Sequence, residues 1–242
     1  MWVWFHKLGS PPYAYRLAQR LQPWLLWSSV PLLLLAAIGG LWLVPQDYQQ
    51  KDAFRIFYVH VPIASMSLGI YMFMATAAAV GVIWRMKVAY AAAAAAAPIG
   101  AAFTVLALIT GSIWGRPMWG TWWVWDVRVT TETILLFFYI GYLSLARSFD
   151  EVSRADRTTA ILAIVGSVNV PIVKYSVVWW NSLHQGSTVL KFGRPAMDSS
   201  MLWPFYVVML AILLYFGGVL CNRLRAEILY RERRSQWIAD VL

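Results

Sequence analysis

His60 closes the string Phe57-Tyr58-Val59-His60, and His184 closes Trp179-Trp180-Asn181-Ser182-Leu183-His184. Between them, residues 114–128 hold Trp114, Trp119, Trp122, Trp123 and Trp125, five of the chain's fifteen tryptophans, together with Asp126 and Arg128. Neutral imidazole offers a lone pair to a metal, and indole faces offer large planar contact area. Two imidazoles beside an aromatic surface suit a flat, apolar, metal-centred ligand. The expectation is a non-covalently held haem b, with His60 and His184 as axial ligands and the tryptophans covering the ring. Haem also carries two propionates, and Arg55 and Arg128 stand at the ends of apolar runs where a guanidinium could pair with a carboxylate.

Each feature also has an ordinary reading. Tryptophan is enriched at membrane interfaces, and Trp24, Trp27, Trp42, Trp84 and Trp203 fit an aromatic belt. An interfacial histidine is more often a polar tip, and an arginine near a span end an anchor. The density between Trp119 and Trp125 exceeds what a belt needs. Read as a helix, Trp119, Trp122, Trp123 and Asp126 fall on one face at i, i+3, i+4 and i+7. That predicts an amphipathic helix lying flat on the membrane surface.

Positioning these groups falls to long apolar elements. The 242 residues are 60% hydrophobic and only 13% charged, where a soluble domain carries about 25% charged residues. The predicted fold is all-α: a single polytopic membrane domain of six spans, each needing about 20 residues. The spans cover 23–44, 62–84, 89–114, 129–146, 159–180 and 202–220. Small residues let membrane helices approach closely, so the alanine run 91–97 reads as a packing face. Pro31 and Pro171 predict kinks, and Pro62 and Pro204 are expected in first turns.

Lysine and arginine set the orientation. Thirteen lie before the first span, between spans 2 and 3, between 4 and 5, and after the sixth, against seven on the other side, while acidic residues divide 6 to 5. Both termini are therefore expected in the cytoplasm, and the segments 46–61, 115–128 and 181–201 outside. His6 falls on the cytoplasmic side and is set aside. No A-x-A-like cleavage site follows the first apolar run, so that span is expected to be retained. The lone Cys221 excludes an internal disulfide and a haem attached through CxxCH.

The string Trp119-Gly120-Thr121-Trp122-Trp123-Val124-Trp125-Asp126 resembles the tryptophan-rich WWD signature of a haem-handling family. With Val59-His60-Val61-Pro62 upstream and Trp179-Trp180-Asn181-Ser182-Leu183-His184-Gln185-Gly186 downstream, essentially the whole chain is similar to the cytochrome c maturation protein C branch. That resemblance implies haem held at the outer face of the bacterial inner membrane, with His60 and His184 matching the two ligand positions. It implies delivery to the periplasmic haem chaperone CcmE, with the tryptophan-rich segment 115–128 facing both haem and chaperone. It also implies the ATPase and permease subunits CcmA and CcmB and the small single-span protein CcmD as partners.

Other classes fit less well. An electron-transfer subunit with intramembrane b-type haem needs histidines facing each other within the bundle, and no span centre holds one. A permease usually places ionisable groups or broken helices at mid-membrane. Only Asn169, Pro171 and Lys174 hint at this; Lys174 is close enough to the span end to snorkel, and Asn169 reads as helix–helix glue. No GxxxxGK[ST] is present for an ATPase. No nucleophile–base pair suggests an enzyme, and the basic excess reports topology, not nucleic acid. Asp126 is the group to examine for any part in the chaperone's covalent haem attachment.

Overall fold

A computed structural model describes residues 2–191 and 193–240. Among these no strand forms; six helical units are long and apolar enough to cross a membrane. A short helix α1 (Val3–Leu8) precedes α2 (Pro11–Ile38), whose last turn widens into a π-helical segment, Gly39–Leu43. A 3-10 turn (Asp52–Ile56) leads into α3 (Phe57–Trp84), followed by α4 (Lys87–Trp119) and α5 (Val127–Ala146). The fifth unit is split into α6 (Val152–Gly166) and α7 (Asn169–Trp179), and α8 (Ser199–Glu232) is the sixth.

The helices overrun the expected spans at most ends because backbone hydrogen bonding continues into the polar flanks. One consequence is that Pro62 and Pro204 sit inside α3 and α8, not in first turns. Another is that His60, expected before its span, lies about one turn inside α3. The kink expected at Pro171 is a full break at Ser167–Val168. Proline has no N–H to donate to the Ser167 carbonyl four residues earlier, and its ring crowds that oxygen. Val170 N–H takes up the carbonyl instead at 3.1 Å, and the Asn169 amide donates across to the Thr131 carbonyl of α5 at 2.9 Å. Asn169 thus joins helices, as its type suggested.

The alanine run supplies Ala93, Ala96 and Ala97 to a central core with Ile70, Tyr71, Met74, Leu135 and Tyr139. Helix α3 lies along α4, and α2 along α8. At the end of the bundle that carries the termini, Arg231 pairs with Asp156 at 2.7 Å and with Glu227 at 2.7 Å, tying α8 to α6. At the opposite end, the Tyr58 hydroxyl donates to the Met201 carbonyl at 2.8 Å and Trp114 Nε1 to Gln50 Oε1 at 2.9 Å. These contacts gather the start of α3, the end of α4 and the start of α8 around one opening.

Candidate functional site

That opening is a cavity of about 520 Å³, within the range of about 300–1,000 Å³ typical of ligand sites. His60 and His184 both line it, His60 from α3 and His184 from the segment after α7, so side chains 124 positions apart meet at one cavity. Trp114, Trp119 and Arg128 line it too, with Phe57, Leu68 and Val170 among its apolar groups. A smaller cavity adjoins it, bordered again by both histidines and Arg128, and by Trp119, Trp122, Trp123 and Glu132.

Space for the His60 ring comes from α4. A Cβ at Gly111 would lie 3.1 Å from His60 Cε1, and one at Gly115 would meet the Trp119 ring at 2.8 Å. His60 Nδ1 is 2.9 Å from Thr110 Oγ1, whose own hydroxyl donates to the Leu106 carbonyl at 2.7 Å. The threonine proton is thereby committed, so Nδ1 carries the hydrogen and His60 Nε2 keeps its lone pair.

His184 is held differently to the same effect. Its Nδ1 lies 2.8 Å from Asp126 Oδ2, which also accepts from the Ser182 hydroxyl. The other carboxylate oxygen caps α5, accepting from Val129 N–H at 2.9 Å. A carboxylate accepts only, so it fixes the hydrogen on Nδ1 and leaves Nε2 free. Burial would raise the Asp126 carboxyl, but the hydrogen bonds from Ser182, Val129 and His184 hold it below the usual carboxylate range. Burial lowers the His184 imidazole below its ordinary value, with Arg128 adding to the effect and Asp126 opposing it. The neutral ring is favoured. The Trp119 ring packs against it at a centroid distance of 4.6 Å, and Trp114 against His60 at 5.7 Å.

The flat amphipathic helix expected over 119–126 does not form. Helix α4 stops at Trp119 because Gly120 turns to φ +75°, a left-handed conformation that glycine adopts readily. Residues 121–126 then run without helix to the Asp126 cap. Trp119 faces the cavity, Trp122 and Trp123 edge its smaller neighbour, and Trp125 borders neither and is 70% exposed, stacked edge-on against Trp123. Arg55 also stands apart: it pairs with Asp52 at 2.9 Å and is absent from both cavity walls. Among the described residues the Arg128 guanidinium, by contrast, makes no hydrogen bond or ion pair within the protein, although it borders both cavities.

Residue types alone did not mark Thr110, Ser182 or Gly111, which look like any span hydroxyl, turn serine or packing glycine. The i, i+2 pairing of Ser182 with His184 was the one legible hint. Lys174, whose place near the span end suits a snorkelling anchor, lines the cavity.

The family model described as "Heme exporter protein C" matches residues 4–239. The chain is 46% identical to "Heme exporter protein C" of Escherichia coli K12, covering 100% of this chain and 98% of that protein. It is 45% identical to the protein of the same name from Bradyrhizobium diazoefficiens, over 94% and 86% of the two chains. A "Putative cytochrome c biosynthesis ccmC-like mitochondrial protein" of Marchantia polymorpha is 41% identical over 85% and 88%.

Proposed function

The chain belongs to the haem exporter protein C family, and on that footing we propose that it holds haem b non-covalently between His60 and His184 for export in c-type cytochrome biogenesis. The observation that carries this reading is the pair of imidazoles lining one cavity, each tethered through Nδ1 so that Nε2 is free. Among the described residues no group of three or more His, Cys, Asp and Glu side chains assembles that could hold a bare metal ion. A metal that arrives inside a macrocycle needs only axial ligands. The apolar lining, Trp114 and Trp119 fit a porphyrin face, and the unpaired Arg128 fits one propionate.

Haem is cargo in this account and the protein a handler, not an enzyme. The bundle is a multi-pass protein of the bacterial inner membrane, with the cavity at the periplasmic face and both termini in the cytoplasm. The exposed Trp122 and Trp125 belong to the surface presented to the chaperone CcmE. CcmA, CcmB and CcmD complete the assembly, and any ATP-driven step belongs to them.

The test is the haem content of the purified protein, measured as its pyridine haemochrome. The wild type should carry non-covalent haem b, and the double variant His60→Ala/His184→Ala should carry little or none. A double variant as fully loaded as the wild type would refute the reading.

A further inference from the structure

Lys174 sits on α7 in a membrane-spanning unit, where an ionisable side chain facing a cavity calls for a functional explanation. It lines the same cavity as Arg128. Its ammonium donates to the Leu190 carbonyl at 3.0 Å and contacts Ser187 Oγ at 3.4 Å. An ammonium has three N–H donors, so two are engaged by the segment 187–190 and one remains. No carboxylate pairs with it among the described residues, whose ion pairs involve Arg55, Lys87, His184 and Arg231. A haem-sized ligand with two carboxylates therefore meets two cations that make no direct ion pair among the described residues, Arg128 on α5 and Lys174 on α7.

Resting on the haem reading above, we propose that Lys174 is the second carboxylate-binding group of the cavity, taking one propionate while Arg128 takes the other. Arg55, the partner favoured by sequence, is occupied with Asp52 and lies off the cavity wall. The two cations select for a dicarboxylate porphyrin over a neutral one.

The experiment compares binding of ferric haem b and of its dimethyl ester, which keeps the iron and ring but has no carboxylates, to the full chain in detergent. The wild type should prefer haem to the ester. Lys174→Met should weaken haem binding by about tenfold or more, as expected for a lost hydrogen bond to a charged group. It should leave the ester's affinity and its iron-ligand spectrum unchanged. Lys174→Arg, which keeps the charge, should restore much of the preference. Equal weakening of both ligands in Lys174→Met would make the residue a structural tether of the loop and overturn the proposal. So would undiminished haem binding in that variant. A wild type that binds both porphyrins equally would remove carboxylate recognition while leaving haem ligation standing. A wild type that binds neither would defeat the haem reading itself.

Discussion

Asp126 divides its two carboxylate oxygens between elements: Oδ1 caps α5 and Oδ2 holds the His184 ring and Ser182. Two substitutions separate these roles. Asn caps helices about as well as Asp, so Asp126→Asn should melt close to the wild type. It should still release haem faster, because with its single oxygen kept on the cap the amide turns an NH2 donor, not an acceptor, toward His184 Nδ1–H. Asp126→Ala should lose the cap as well, at about 0.5–2 kcal/mol. Its haem affinity should fall by roughly 10- to 100-fold, the usual cost of removing a ligand's supporting group. Thermal melts and haem dissociation rates measure both; an Asp126→Asn protein that keeps its haem as long as the wild type would show the tether to be idle. His60, His184, Arg128, Trp114 and Trp119 can be singled out from residue type and spacing, and the fold brings them to one cavity. The tethers were not, since only the folded chain brings Thr110 to His60 from 50 positions away.

At the scale of elements, hydropathy located the six spans, because the membrane core demands that many apolar residues in a row. Their ends were less legible: hydropathy stops at the apolar core, whereas hydrogen bonding carries the helix on to a cap or a glycine. The tryptophan-rich segment shows the same limit. Its i, i+3, i+4, i+7 pattern fits a helix, yet Gly120 ends α4 and the pattern instead distributes indoles between cavity and surface. Helix packing is close where the sequence offers small residues. A Cβ at Gly100 would fall 2.2 Å from the buried Tyr139 ring, whose hydroxyl donates to the Ser67 carbonyl. Gly100→Ala should therefore cost about 1–3 kcal/mol through overpacking. Gly141→Ala, whose new methyl would meet Leu162 at an ordinary 3.5 Å, is the control. Thermal unfolding in detergent reads the difference, and equal stability of the two variants would contradict the packing described for α4 against α5.

For the molecule as a whole, the proposed orientation rests on the basic excess at one end of the bundle, with His60 and His184 toward the other. Cysteines introduced at Gly120 and Ser235 should accept a membrane-impermeant label from opposite sides, Gly120 from the periplasm; labelling of both from one side would invert or break the topology. Everything else in the account depends on where the iron is held. The most direct measurement is the visible spectrum of the purified protein and of His60→Ala and His184→Ala, with and without added imidazole. The wild type should show a low-spin bis-imidazole spectrum, each single variant a perturbed spectrum or a reduced haem content, and imidazole, which can fill the space left at either position, should restore both. Single variants that both retain the wild-type bis-imidazole spectrum without added imidazole would contradict axial ligation by the two histidines.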